Sequence, residues 1–170
     1  MRSTPIDRGA AYVGAMADAT VTTIDSGPRK IARQVVVKAP VSEVFALVAN
    51  PHRHPELDGS GTVRDTPVKG PDRLSRGAKF SVGMKQYGLP YKITSTVTAF
   101  EDDTLVEWKH PLGHLWRWEF SSLGPDTTQV TETFDYSSAK SPKMLEVFGF
   151  DKKNGSGITG TLEALAARFA

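Results

Sequence analysis

An α+β fold, in which a curved antiparallel sheet packs around a long C-terminal helix, is what this sequence predicts. Three observations carry the prediction. Near residue 40 the apolar pattern switches from alternation to the spacing of a helix face. Between 61 and 136, strand-like segments follow one another with turn residues between them. The chain then ends on a segment whose apolar residues again fall at helical spacing.

The elements follow in order. Residues 1–28 are rich in Ala, Thr and Ser, show no sustained period and lack the apolar core of a signal peptide. They are expected to form a flexible N-terminal arm, with an added edge strand allowed within 20–24. Met16, followed by Ala-Asp-Ala-Thr, offers an alternative start. The folded domain is assigned to 29–170. It opens on the β-branched run from Ile31 to Val37. Val41, Val44, Phe45 and Val48 then form one helix face, with Pro40 suited to its first turn and Asn50-Pro51 ending it. Residues 52–59, with prolines nearby, read as a short helical turn.

Five or six strands come next. Thr62–Val68 is a candidate, followed by a basic loop over 69–77. Phe80, Val82 and Met84 alternate with polar residues, as do Tyr91, Ile93, Ser95 and Val97. Glu101-Asp-Asp103 turns the chain into Leu105–Lys109, and Trp116, Trp118 and Phe120 share one face of the next strand. Gly124-Pro125-Asp126 leads into the last, Gln129–Tyr136. After Ser141-Pro142 a short apolar stretch precedes a polar break over 151–157. Ile158, Leu162, Leu165, Ala166 and Phe169 then mark the terminal helix.

Composition narrows the function classes. A chain of 170 residues suits one domain with a single core. The net charge of +2 is too small to indicate a nucleic-acid partner by itself. The absence of Cys removes disulfides, thiolate zinc sites and Cys nucleophiles together. No apolar run is long enough to span a membrane, and a cytoplasmic protein is expected.

Two blocks then resemble a known superfamily. VVVKAPVSEVFALVANPHRHPELD at 35–58 is similar to the opening of the START-like, Bet v 1-like (SRPBCC) superfamily, and most closely to its bacterial polyketide cyclase/dehydrase and lipid-transport branch. The strand from His114 to Phe120, with the turn and the TQVTETF strand after it, resembles the second characteristic block. Leu57 departs from the pattern, standing where an aromatic often follows Pro-Glu. The resemblance implies a helix-grip fold, with a cavity between sheet and C-terminal helix for an apolar or amphipathic ligand of lipid, polyketide or isoprenoid type. It implies no catalytic triad at these positions.

Candidate chemistry is sparse. Glu132 shares strand parity with Val130, Phe134 and Tyr136, so it should point inward, where an unpaired carboxylate is costly and titrates high. It is the candidate catalytic carboxylate, and a cavity His is the other candidate acid/base. The candidate ligand-contact residues are Tyr91, Trp108, His114, Trp116, Trp118, Phe120, Glu132, Phe134, Ile158 and Leu162. His52, His54, Glu56 and Asp58 alternate in a turn that reads as solvated, and the Pro and Gly between His110 and His114 prevent an i, i+4 chelate. No metal and no cofactor is expected.

GSGITG at 155–160 formally matches GxGxxG, but no strand precedes it and only the chain end follows. It reads instead as a hinge at which the terminal helix starts or breaks, able to gate a cavity. Arg64, Lys69, Arg73, Arg76 and Lys79 lack interleaved aromatics, so no nucleic-acid partner is expected. The favoured function is ligand binding or carriage, with a homodimer left open. The alternatives are a cyclase/dehydrase-like enzyme using a cavity Glu or His, and a protein-interaction module with a filled interior.

Overall fold

The computed structural model describes residues 19–60 and 67–170. Most of the candidate strand Thr62–Val68, with Arg64, lies outside these residues, as does Met16. Among the described residues, seven antiparallel strands form one sheet in the order β1-β2-β7-β6-β5-β4-β3. They are β1 (Thr22–Ile24), β2 (Lys30–Val37), β3 (Lys79–Gln86), β4 (Leu89–Glu101), β5 (Leu105–Lys109), β6 (Leu115–Gly124) and β7 (Thr127–Asp135). Between β2 and β3 come helix α1 (Val41–Ala49) and a 3-10 turn (Pro51–Glu56); α2 (Pro142–Val147) and α3 (Phe150–Arg168) end the chain. The class is α+β, as the sequence predicts, and the long C-terminal helix lies in the grip of the sheet.

Chain order explains the topology. The strands from β3 to β7 are consecutive hairpins, whereas β2 reaches the sheet on the far side of β7, which it pairs along its whole length. Thr128 fixes this closure: its buried hydroxyl donates to the Ala39 carbonyl at 2.8 Å, tying the β2–α1 turn to β7. Register shifts between Val97 and Ala99 and between Ser122 and Gly124 supply the bends that a sheet needs to curl around a helix.

The core lies between the concave face and the helices. Phe45 of α1 sits edge-on to Phe100 and Phe120, at centroid separations of 5.4 and 5.2 Å. From α3, Ile158, Leu162, Leu165 and Ala166 enter the same core, a stripe at the predicted spacing.

The terminal helix differs from expectation in one respect. The segment 151–157 is no break: α3 runs without interruption from Phe150 to Arg168, after Gly149 at φ 69° turns the chain out of α2. The glycines expected to make a hinge lie inside the helix and serve contact. Three interior glycines weaken a helix by about 1 kcal/mol each relative to alanine. Here Gly155 makes room for the Ile31 and Arg33 side chains of β2, Gly157 for Ser60, and Gly160 lets backbone approach backbone. A Cβ on Gly59 would lie 2.1 Å from the Thr161 nitrogen, and one on Gly160 would lie 3.1 Å from the Gly59 Cα. The Gly59 N–H donates to the Thr161 hydroxyl at 3.0 Å. This seam holds the segment after the 3-10 turn flat against α3.

Candidate functional site

Beneath that seam, between the sheet and α3, lies a cavity of about 210 Å³. Each wall follows from a periodicity. Phe80 pairs with Ser95 and Val82 with Ile93 across the β3–β4 hairpin, and alternation puts all four side chains on the cavity face. Trp108 on β5 opposes Trp116 on β6, and Trp118 opposes Glu132 on β7. The 3-10 turn and the segment after it add His54, Leu57, Asp58 and Ser60, and the first turns of α3 add Asn154, Gly157, Ile158 and Thr161. All three tryptophans of the chain line this one space.

The wall is apolar except for a few polar atoms. Glu132 is 5% exposed, and its Oε2 has no hydrogen-bond partner among the described residues. Trp118, 4% exposed, likewise has an unpartnered Nε1–H. Buried polar atoms are rarely left unpaired, because each forfeits about 1–3 kcal/mol of solvation. Burial pushes the Glu132 carboxyl well above the usual carboxylate range, and Asp58 nearby adds to the shift. Glu132 is thereby favoured as the neutral acid, able to donate as well as accept.

Three histidines bear on the site, and all favour the neutral form. His54 donates from Nε2 to the Val48 carbonyl at 2.7 Å and stacks on Trp108 at 5.2 Å. Burial lowers its pKa to about 4, in spite of that bond, and His52 adds to the lowering. At His110, Nδ1 accepts from the Leu112 N–H at 3.0 Å, so the ring proton sits on Nε2. Burial lowers its pKa to about 4. His114 stacks under it at 4.1 Å, with its own Nδ1 unpartnered, and is lowered to about 3 by burial and by the His110 ring.

The structure divides the ten candidate contact residues. Trp108, Trp116, Trp118, Glu132 and Ile158 line the cavity. The other five sit elsewhere. Phe120 packs on Phe45 in the core, Leu162 is fully buried there, and Phe134 sits behind Trp116 at 4.9 Å. His114 lies beneath His110 rather than on the wall, and Tyr91 is an exposed residue of β4 opposite Met84. Strand parity alone does not separate a wall from the core next to it.

Some wall residues escaped the sequence reading. His54 is packed among Trp108 and Phe80, not solvated, because the 3-10 turn folds under the sheet. Leu57, the departure from the family pattern, is buried and faces the cavity, so an aliphatic fills the place of the aromatic. Phe80, Val82 and Ile93 were visible as alternating residues, and that alternation was the available signal. Among the described residues, no three His, Cys, Asp or Glu side chains are grouped to hold a metal. Arg73 of the basic loop pairs with Asp102 at 2.6 Å and lies over Phe45 and Phe100, a structural placement.

Residues 28–170 match the family model described as polyketide cyclase / dehydrase and lipid transport. The chain belongs to this family. The uncharacterized protein Rv0088 of Mycobacterium tuberculosis is 55% identical over 155 residues, covering 89% of this chain and 69% of that protein. Among solved structures, a START superfamily protein from Mycobacterium smegmatis has a TM-score of 0.63 at 16% identity, covering 82% of this chain and 96% of its own. Protein Ms6760 from the same organism has a TM-score of 0.61 at 17% identity, covering 89% and 99%. At such identities the two structures establish the shared fold. The polyketide cyclase/dehydrase and lipid-transport family thus places this chain in a ligand-binding or cyclase-type fold. Among the described residues, no helix is long and apolar enough to cross a membrane.

Proposed function

We propose that this protein binds a small, mostly apolar molecule carrying one neutral hydrogen-bonding group, such as a phenol or a ketone. The observation that carries this reading is the pairing of Trp118 and Glu132, whose buried Nε1–H and Oε2 are unpartnered on the wall of a mostly apolar cavity. Volume limits the ligand. An engineered apolar cavity of about 150 Å³ accepts benzene, and sites for drug-sized ligands start at about 300 Å³. A cavity of about 210 Å³ lies between them and suits a one- or two-ring body. Aromatic walls offer large contact area at little rotamer cost, and desolvation of the ligand supplies the driving force.

The test uses the cavity's own tryptophans. Titration with 2-naphthol should quench or shift their fluorescence, whereas 2-naphthoate should bind at least about tenfold more weakly at neutral pH. A fixed anion next to a buried carboxyl costs more than a neutral hydroxyl. Native mass spectrometry of gently purified protein should show a bound small molecule. An apo mass together with no response to either naphthalene would overturn the proposal.

Glu132 also supports a second reading. A buried, protonated carboxyl in contact with a bound ligand is suited to acid/base work on a polyketide-like substrate. In that case Glu132→Gln would bind ligand normally but turn it over poorly, with the loss in kcat rather than KM. Equal turnover by both proteins would remove this reading and leave the binding proposal standing.

A further inference from the structure

We propose that the cavity end of this protein docks on an anionic lipid bilayer, through apolar side chains of three segments set among lysines. Nine large hydrophobic residues are exposed among the described residues, and all but Val36 and Leu123 lie on these segments. Scattered apolar residues are ordinary on a protein surface; seven gathered at one end are not. Tyr87, Leu89 and Tyr91 lie at the end of the β3–β4 hairpin, Leu112 on the β5–β6 turn, and Met144, Val147 and Phe148 on the face of α2 and its end.

The fold brings these segments together. In the antiparallel meander, the β3–β4 and β5–β6 turns and the end of β7 all point the same way. The hairpin tip reaches α3, where Lys153 Nζ lies 3.4 Å from the Tyr87 hydroxyl and 4.9 Å from its ring centroid. The Leu112 carbonyl accepts from the Lys140 N–H at 2.9 Å, joining the β5–β6 turn to the approach to α2. Helix α2 packs Leu145 against the core and leaves Met144 and Val147 exposed, with Phe148 exposed just beyond its end. Val147 is 81% exposed and Phe148 63%. The cavity wall continues into the same segments through Met84, His110 and Asn154.

Charge selects the occupant. Lys85, Lys92, Lys140, Lys143, Lys152 and Lys153 are exposed here, and none is in an ion pair with a carboxylate among the described residues. Of the nearby acids, Glu146 and Asp135 are paired with Arg29 and Lys30, and Asp151 in the first turn of α3 is outnumbered by the six lysines. A second copy of the chain would bring lysine against lysine. A bilayer bearing anionic headgroups attracts the lysines and accepts the protruding aromatic and aliphatic tips at its interface. Such docking would set the cavity beside a reservoir of apolar molecules, but it does not depend on which ligand the cavity takes.

Flotation with extruded vesicles tests the proposal. The full chain should float with phosphatidylcholine–phosphatidylglycerol vesicles at low salt, release at high salt, and ignore phosphatidylcholine alone. The double substitution Val147→Ser/Phe148→Ser should weaken binding at least about tenfold, as should Lys143→Gln/Lys152→Gln. Both variants should keep the wild-type melting temperature and the 2-naphthol response, which separates lost docking from misfolding or an altered cavity. Wild-type protein that stays unbound with both lipids would overturn the proposal, as would binding insensitive to salt. A dimer in solution that Val147→Ser/Phe148→Ser dissociates would assign the patch to a second copy instead.

Discussion

Trp118 and Glu132 stand directly opposite each other on β6 and β7, and each leaves a buried polar atom unpartnered in the same cavity. Most strand pairs exchange apolar contact at such a position. Here the ladder places a donor and a carboxyl side by side in an apolar wall, where a ligand can satisfy both.

The pair implies a stability cost that depends on pH. The folded-state pKa of Glu132 is raised, so folding favours its protonated form. Its contribution is fully present below the unfolded value of 4.5 and is lost as pH rises through the folded value. Glu132→Gln removes that loss. We expect the variant to match wild type in acid and to gain about 1–3 kcal/mol above the folded pKa. Melting temperatures of the two proteins should diverge as pH rises from acid into the alkaline range; parallel curves would place the Glu132 charge in contact with solvent.

The histidines give the opposite sign. His54, His110 and His114 have folded pKa values of about 4, 4 and 3, below the unfolded value of 6.5. Their neutral forms contribute stability that is fully present above 6.5 and is lost as pH falls toward 4 and 3. Urea midpoints should therefore fall over that window. His114→Phe, which removes the ring with the unpartnered Nδ1 but keeps an aromatic against Phe134, should reduce the acid loss. At neutral pH it should change stability by less than about 1.5 kcal/mol.

The seam between Gly59 and Gly160 gives a steric prediction. A methyl group at 59 overlaps backbone of α3 that cannot move aside, so Gly59→Ala should cost about 3 kcal/mol or more. Gly124→Ala, at a position with nothing within 4 Å and no positive φ, should stay within about 0.5 kcal/mol. Chemical denaturation of both variants measures the contrast, and equal effects would mean that the seam yields.

Wall and core residues should also behave differently. Leu162, fully buried in the core, should cost about 2–5 kcal/mol on truncation to Ala. Trp116, half-buried on the cavity wall, already borders empty space. Trp116→Ala should cost less than Leu162→Ala while weakening the 2-naphthol response more. A reversed order in the two assays would exchange their roles.

Local pattern determined much of this protein. The β-branched run of β2, the i, i+3, i+4, i+7 face of α1, the alternating strands from β3 to β7 and the stripe of α3 were legible because secondary structure follows side-chain period. The same alternation turned Glu132 and the tryptophans inward, since pleating assigns every second side chain to one face. Tertiary structure decided the rest. GSGITG read as a hinge because glycine disfavours helix in isolation, and only the Gly59 backbone pressed against α3 shows why glycine is needed there. His54 read as solvated because its burial depends on Trp108, remote in sequence, folding over it. Phe120 and Phe134 share parity with the cavity wall yet pack in the core, because the boundary between wall and core is set by where the helices touch the sheet. Period is a property of neighbours in sequence; a cavity is a gap between elements that meet only in the folded chain.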